Sequence, residues 1–317
     1  MLEFIKSFKI TYEIYNFFKK SALEHNLPLY QKYGLKKKYY SSVSSEDFKQ
    51  TNGEQLIHDK LDSTQSLPEK EEFNSLDPDT QSRLLNWSKD GYAVLPTFYS
   101  SEEIEAFNQE VDDLIDSKKA NWRYGRILFS IFQSKLLFDT GNAKRLTSIL
   151  DLLMGKEVDL FQSLNFVNAS QQKSHSDSIH MTTFPYGNLI AVWIALEDIT
   201  LDNGPLHYYP GSHKLPYVMN GDYDNVGSKY RLGTKSYGDY ENKVQEVIAG
   251  NDLQKKVFTA KKGDLLIWHA NLLHGGEAII NKEMTRKSMV FHYYTKDAIC
   301  YHEITQRPTL KSRSSSF

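Results

Sequence analysis

The chain has 317 residues, a net charge of −2 and a pI near 6.6. This length allows one sizeable domain with extensions, and the near-neutral charge gives no sign of the basic surface that nucleic acids require. The single cysteine, Cys300, excludes an internal disulfide framework and is typical of a reducing compartment. No run approaches the ~20 apolar residues of a transmembrane helix. We therefore expect a cytoplasmic protein without a nucleic-acid partner.

Residues 1–40 begin with MLEFIKSFKITYEIYNFFKKS, in which apolar side chains recur at helical spacing among lysines. Lysine and glutamate interrupt any signal-peptide core. We predict a helical extension that docks on the rest of the protein or on a neighbouring subunit. A helix on a membrane surface is the alternative, helped by Lys36, Lys37 and Lys38, and it is not favoured. The oligomeric state stays open.

Residues 41–80 are polar and poor in large apolar side chains, which predicts a linker or a loosely packed strap. Two helix starts follow. Asp77 is a predicted N-cap for the segment TQSRLLNWSKD, and Ser100 is a predicted N-cap for a second helix with acidic residues in its first turn. These helices precede the strand-rich part of the chain.

A buried strand is predicted in LIAVWIALEDI (189–199), because β-branched and aromatic residues form a continuous apolar run. Short strand-like runs follow in LHYY, LLIWH and KSMVFHYY, separated by turns rich in Gly, Asn and Pro. This pattern favours a β-sandwich or barrel over a βαβ sheet. We expect the domain to span residues 81–306, followed by a disordered tail at 307–317.

Three residues have the chemistry of metal ligands. His175 and Asp177 form an H-x-D pair, and His274 lies 97 residues after Asp177. On a strand, side chains at i and i+2 point to the same face, so both members of the pair can reach one metal ion. Two imidazoles and one carboxylate on one side of a metal form the facial triad of non-haem Fe(II) oxygenases. The H-x-D pair alone is weak evidence, and its strand context carries the prediction.

Arg286 lies 12 residues after His274, in TRKSMVFHYY. A buried arginine on the next strand can hold a carboxylate through a bidentate fork. Ser288 shares that strand face, and its hydroxyl can donate to the same carboxylate. Trp193 is by default a core residue, and it is also a candidate wall of the pocket that would hold this carboxylate.

The motifs HSDSIHM, VWIALEDITLDNGPLHYYPGSHK, KKGDLLIWHANLLHGG and TRKSMVFHYY occur in this order, after DGYAVLPTFYSSEEIEAF (90–107). In these motifs the chain resembles the phytanoyl-CoA dioxygenase family of Fe(II)/2-oxoglutarate oxygenases. The resemblance implies a mainly β fold with flanking helices, the double-stranded β-helix or cupin-like jelly-roll. Carried over residue by residue, it implies that His175, Asp177 and His274 bind Fe(II), and that Arg286 anchors 2-oxoglutarate.

The resemblance also implies a reaction. A dioxygenase of this kind uses O2 and 2-oxoglutarate to hydroxylate an aliphatic C–H bond of a small-molecule, acyl or natural-product substrate, and it releases succinate and CO2. Halogenating relatives lack the carboxylate that Asp177 provides here, so halogenation is disfavoured. Two alternatives stay open: a different metal-dependent activity on the same fold, and a non-catalytic binding role.

Residues 216–262 separate two predicted strands and carry five tyrosines among Gly, Asp and Lys. A connection of this length inside a compact domain is usually functional or flexible. We predict a lid-like insert that selects the substrate, and a solvent-exposed excursion without a substrate role is the alternative.

Overall fold

The computed structural model describes residues 7–48 and 62–311. Its α-helices are α1 (Lys9–Phe18), α2 (Asn26–Lys32), α3 (Ser63–Ser66), α4 (Glu71–Asn74), α5 (Pro78–Leu84), α6 (Trp87–Asp90), α7 (Ser101–Asp116), α8 (Lys135–Gly141), α9 (Lys144–Met154) and α10 (Tyr237–Gly250). Its strands are β1 (Tyr92–Leu95), β2 (Trp122–Arg123), β3 (Arg126–Leu128), β4 (Val158–Phe166), β5 (Thr182–Phe184), β6 (Leu189–Ala195), β7 (Leu206–Tyr208), β8 (Lys256–Phe258), β9 (Leu265–His269), β10 (His274–Gly276), β11 (Ser288–Thr295), β12 (Ile299–His302) and β13 (Arg307–Pro308).

The strands form three antiparallel sheets. The main sheet has the order β1-β9-β6-β11-β4-β3-β2, and a small sheet has the order β10-β7-β8. The apolar side chains of these two sheets pack against each other in a shared interior. A third sheet, β13-β12-β5, lies beside them. This is the predicted mainly β fold, a double-stranded β-helix with flanking helices.

The central strand β6 is buried along its whole length. Ile190, Val192 and Ile194 belong to the apolar cluster formed with the helices, whereas Ala191 and Trp193 belong to the interior between the sheets. A strand that is covered on both faces has a continuous apolar sequence instead of an alternating one. The predicted buried strand is therefore confirmed.

The helices that cover the main sheet begin where the sequence predicts. The Ser100 hydroxyl accepts from the Glu103 N–H, and the Glu103 side chain accepts from the Ser100 N–H, which forms a capping box at α7. Asp77 caps α5 through the Thr80 N–H. Ile104 of α7 is fully buried against the sheet. The cap therefore sets where α7 begins, and its apolar side sets which face packs on the sheet.

Of the two alternatives predicted for residues 41–80, the linker is wrong for the described parts of that range, which lie against the domain as a strap would. Val43 and Phe48 are buried in a cluster with the third sheet, and Leu67 and Phe73 are buried in the cluster under the main sheet. The segment contains few large apolar residues, so its composition indicates a linker, but these four anchor it to the domain. Its residues 49–61 lie outside the described residues.

The predicted tail and insert also differ from the structure. Residues 307–308 form β13, paired with β12, so the disordered tail predicted at 307–317 does not begin there. Residues 312–317 lie outside the described residues. Within 216–262, the last part contains β8, which belongs to the small sheet. The insert is therefore shorter than predicted, and α10 is its main element.

The N-terminal helices contact two parts of the domain. Leu29 and Tyr30 of α2 are buried against the third sheet. At the start of α1, the Lys9 N–H donates to the Tyr230 carbonyl at 3.0 Å and the Leu232 N–H donates to Ser7 at 2.9 Å, which joins the extension to the insert. None of the described helices has both the length and the apolar composition needed to span a bilayer.

Candidate metal centre

His175, Asp177 and His274 converge in the structure. The backbones of His175 and His274 form an antiparallel bridge, with both N–H···O distances at 2.9 Å. Asp177 is not on a strand: it begins a short 3-10 helix, Asp177–Ile179. The expectation that one strand presents both members of the H-x-D pair is therefore wrong, since the chain turns at Asp177 and the turn brings the carboxylate to the two rings.

The three side chains form one candidate ligand group. Their potential ligand atoms all lie within 4.8 Å of one another, and His274 Nε2 lies 3.8 Å from Asp177 Oδ1. Ligand atoms on one face of an ion, each bonded at ~2.0–2.2 Å, lie ~3 Å apart. The side chains would therefore need to close by no more than roughly 2 Å to bind one ion.

Hydrogen bonds select the ring nitrogen that each histidine offers. His175 Nδ1 lies 2.9 Å from the Lys173 carbonyl, and His274 Nδ1 lies 2.9 Å from the Leu272 carbonyl. A carbonyl oxygen only accepts, so each Nδ1 bears the proton and donates. Both Nε2 atoms are then left with a lone pair for a metal ion. The donor set fits a metal of the kind that binds imidazole and carboxylate.

Burial sets the charges of this group. Burial, followed by repulsion from His274, lowers the pKa of His175 to about 3, so its ring is neutral at physiological pH. Burial by itself would raise the pKa of Asp177, but attraction to His274 and a hydrogen bond to His292 hold it below its ordinary value. A neutral imidazole and an ionised carboxylate are the forms that bind metal.

Two residues that the sequence does not single out lie next to Oδ2 of Asp177, the carboxylate oxygen that is not directed at His274. Trp268 Nε1–H donates to Asp177 Oδ2 at 2.8 Å, and His292 Nε2 lies 3.6 Å from the same atom. Trp268 is on β9 with its side chain in the interior between the sheets. The alternation of side-chain direction along the strand LLIWH predicts that Trp268 points to this interior. Nothing in the sequence predicts its contact with Asp177.

Arg286 is almost fully buried just before β11, where its N–H donates to the Val167 carbonyl. Its Nη1 donates to Ser288 Oγ at 2.6 Å, and its Nε is buried without a partner among the described residues. No carboxylate in the described ranges forms an ion pair with it. Burial lowers the pKa of Arg286 only to about 10, so it stays a cation at physiological pH. Trp193 lies beside it, with the ring centroid 5.8 Å from Cζ.

A second guanidinium lies near the first. The Phe166 ring centroid is 5.3 Å from Arg286 Cζ and 5.4 Å from Arg126 Cζ. Arg126 Nε is also buried without a partner among the described residues. The sequence does not single out Arg126, because its strand β3 is only three residues long. One buried and one half-buried cation on the same aromatic ring would favour an anionic ligand.

The insert reaches this centre through α10. Tyr237 Oη lies 3.1 Å from His180 Nε2 and accepts from Gln172 Nε2 at 3.1 Å. The His180 ring centroid is 6.2 Å from that of His175, so this histidine lies beside the ligand group. Tyr240 Oη accepts from the Ser176 N–H at 3.0 Å, in the segment between the two ligands of the H-x-D pair.

The fold and the ligand group together define the chain as a jelly-roll protein with the facial triad of non-haem iron oxygenases. The family model of phytanoyl-CoA dioxygenase (PhyH) matches residues 87–288. The chain belongs to the phytanoyl-CoA dioxygenase family. The predicted family, fold and enzyme class, a 2-oxoglutarate-dependent dioxygenase, are confirmed.

Individual relatives agree with this assignment. Ectoine dioxygenase of Halomonas elongata is 25% identical over 70% of this chain and 72% of its own length. The structure of EctD from S. alaskensis with 2-oxoglutarate and 5-hydroxyectoine has a TM-score of 0.56 and 19% identity, over 76% of this chain and 84% of that one. SnoN, an α-ketoglutarate-dependent epimerase from nogalamycin biosynthesis, has a TM-score of 0.56 and 21% identity, over 72% and 87%. The predicted cofactors, iron and 2-oxoglutarate, are those of these two neighbours, since EctD has also been solved with bound Fe and SnoN with Fe3+ and α-ketoglutarate.

Proposed function

We propose that the protein uses Fe(II), 2-oxoglutarate and O2 to hydroxylate an aliphatic C–H bond of a small-molecule, acyl or natural-product substrate. The observation that carries the proposal is the buried convergence of two imidazole Nε2 atoms and one carboxylate oxygen, with both Nδ1 atoms bonded to carbonyls. When bound, the metal and co-substrates supply the oxidising chemistry, and succinate and CO2 are released. A cytoplasmic location stays a prediction.

In this proposal His175, Asp177 and His274 would hold iron. They would supply only three ligands, so the bound metal would also accept the co-substrate. Trp268 holds Asp177 Oδ2 so that Oδ1 points to the histidines. Such partners of a ligand fix its orientation and tune its affinity for the metal.

Arg286 binds the distal carboxylate of 2-oxoglutarate. Its buried and unpaired Nε supports this role, since a buried cation is costly until an anion compensates it. Ser288 Oγ already accepts from Arg286 Nη1, so its own hydrogen is free to donate to the same carboxylate. Trp193 forms a wall beside the guanidinium. The charge of Arg126 supports binding of a dianion in the same region.

The substrate approaches from the side of α10. Tyr237, His180 and Gln172 form a polar cluster beside the ligand group, and such a cluster can donate to and accept from a polar substrate group. We propose that the insert selects the substrate by covering this side, because closing elements exclude water from reactive centres.

Replacing Asp177 by Ala tests the metal site. We expect weaker Fe(II) binding and no succinate release from 2-oxoglutarate, because one of three ligands and its negative charge are lost. Iron titration and succinate quantification under air measure both effects. Asp202→Ala, at an exposed position, is the matched control and should behave as the wild type. Stoichiometric iron at unchanged affinity in Asp177→Ala would place the metal elsewhere.

Replacing Arg286 by Ala tests the co-substrate site. We expect the 2-oxoglutarate concentration for half-maximal succinate release to rise roughly 30-fold or more, since a buried charge-assisted pair contributes ~2–5 kcal/mol. Iron affinity should stay unchanged. Arg286→Lys should restore part of the loss, because a point charge cannot reproduce the planar fork. The exposed Arg123→Ala is the control, and an unchanged requirement in Arg286→Ala would contradict the assignment.

The same assay separates the two alternative functions. A jelly-roll protein with a different metal-dependent activity, or with a binding role only, would take up iron without consuming 2-oxoglutarate. Slow succinate release by the wild-type protein that depends on iron and O2 supports the dioxygenase. Its complete absence, with and without candidate substrates, would favour the alternatives.

A further inference from the structure

Helix α1 has a large apolar surface that the protein leaves exposed. Ile10, Ile14, Phe17 and Phe18 are 56%, 53%, 47% and 78% exposed. Their spacing of i, i+4, i+7 and i+8 places them on one side of the helix. We call these four residues the apolar stripe. Exposed apolar residues are common singly, but a contiguous group of this kind marks an interaction surface.

The opposite side of α1 faces the protein and is polar at its centre. Asn16 is 1% exposed and donates to the Tyr40 carbonyl at 3.0 Å. Tyr12 faces the same side and lies under the Arg307 guanidinium at 5.2 Å. The helix is thus held in place by polar and cation–π contacts while its most apolar residues point to solvent. The helix therefore docks on the protein, as predicted, but through its polar side.

Lysines border the apolar stripe. Lys20 Nζ lies 5.2 Å from the Phe17 ring centroid, the Phe17 and Tyr40 rings are 5.8 Å apart, and Lys38 Nζ lies 5.7 Å from the Tyr40 ring. Lys19 is exposed beside them. No acidic group in the described part of the chain forms an ion pair with Lys19, Lys20 or Lys38. Within that part, the border of the stripe therefore contains three lysines without an ion-pair partner, beside a single acidic residue, Glu13.

We propose that the apolar stripe and its lysines dock the protein on an anionic membrane surface. A helix with aromatic and aliphatic residues on one face and lysines at the border is suited to lie in the headgroup region, where each lysine near an anionic surface adds to binding. A second copy of the chain fits less well, because pairing two stripes brings two positive borders together, and four side chains are far fewer than the ~20–30 residues a side of a stable interface.

Cosedimentation of the full-length protein with vesicles tests the proposal. We expect binding to phosphatidylcholine vesicles that contain phosphatidylserine, little binding to phosphatidylcholine alone, and weaker binding at high salt. The double variant Ile14→Ser and Phe18→Ser should lose binding. Its matched control, Leu201→Ser and Ile280→Ser, changes two exposed apolar residues elsewhere, 60% and 71% exposed, and should bind like the wild type.

A second pair of variants keeps the test valid if the apolar variant fails to fold. Lys19→Ala with Lys20→Ala should weaken binding to the anionic vesicles roughly 25-fold, since each lysine near the surface contributes about a fivefold factor. Lys118→Ala with Lys119→Ala, an exposed pair at the end of α7, should leave it unchanged. Absence of vesicle binding, equal binding to neutral vesicles, equal loss in the controls, or a dimer that the stripe variants make monomeric would each overturn the proposal.

Discussion

The two carboxylate oxygens of Asp177 have different surroundings. Oδ1 faces His274 Nε2 at 3.8 Å, whereas Oδ2 accepts the Trp268 indole N–H at 2.8 Å. A carboxylate held at one oxygen presents the other in a fixed direction, which lowers the entropy lost when a metal binds. The indole N–H would otherwise be a buried donor without an acceptor. One hydrogen bond thus satisfies the core and orients a candidate ligand.

Replacing Trp268 by Phe removes this donor and keeps most of the ring. We expect Fe(II) affinity to fall roughly 10- to 100-fold, the range found when partners of metal ligands are removed. Equilibrium titration with Fe(II) under anaerobic conditions gives the affinity. Trp87→Phe alters another buried tryptophan, outside the ligand group, and should not change it. If the two variants bind iron equally well, Trp268 has only a packing role.

At the scale of elements, the insert and the segment that carries the ligands are joined by side-chain hydrogen bonds. Tyr237 opens α10 and bonds to His180 and Gln172, and Tyr240 bonds to the backbone of Ser176. Ser236 caps the same helix in a capping box. Hydrogen bonds therefore hold the start of α10 against the candidate metal centre, whereas the end of the helix is more exposed. Movement of this helix would change the surroundings of His175 directly.

Replacing Tyr237 by Phe should loosen the first turns of α10. Loss of two hydrogen bonds, each of ~0.5–1.5 kcal/mol, predicts amide hydrogen exchange on the order of tenfold faster there. Iron affinity and substrate-free succinate release should stay near the wild type, because Tyr237 is not a ligand in the proposed site. Tyr230→Phe, at a ring that is 69% exposed, is the control for exchange. Unchanged exchange in Tyr237→Phe would show that the helix is held by its apolar contacts alone.

At the scale of the whole molecule, burial keeps several histidines neutral. Burial, followed by repulsion from Lys311, lowers the pKa of His25 to about 4. Burial, followed by repulsion from His302, lowers that of His180 to about 3. Burial, followed by repulsion from Arg307, lowers that of His302 to about 4. These groups lie in the N-terminal extension, the metal centre and the third sheet, so the effect extends across the fold.

The folded protein should therefore be destabilised by acid. A histidine with a lowered folded pKa stabilises the fold fully above its unfolded pKa near 6.5, and this contribution is lost as the pH falls toward the folded value. At about pH 5 the loss is roughly 2 kcal/mol for each such histidine. Thermal unfolding of the metal-free protein at about pH 7 and about pH 5 measures it. We expect a clearly lower midpoint in acid and a smaller difference in His25→Gln. Equal midpoints would contradict the expectation.

The sequence by itself determined the family, the class of fold and the residues of the candidate ligand group. His175, Asp177, His274 and Arg286 could be named because their order and spacing follow local motifs. The buried strand β6 could be named because side-chain periodicity depends only on neighbours along the chain. Helix caps such as Ser100 are local in the same sense.

Only the tertiary structure decided which side chains meet. Trp268 contacts Asp177 across 91 residues of sequence, and Arg126 shares the Phe166 ring with Arg286. Tertiary packing also decided which apolar residues of the segment predicted as a linker are buried, and which face of α1 points to solvent. Local patterns state which faces are apolar, but the partner of each face depends on packing between residues that are far apart in sequence. Contacts of that kind arise from the fold as a whole.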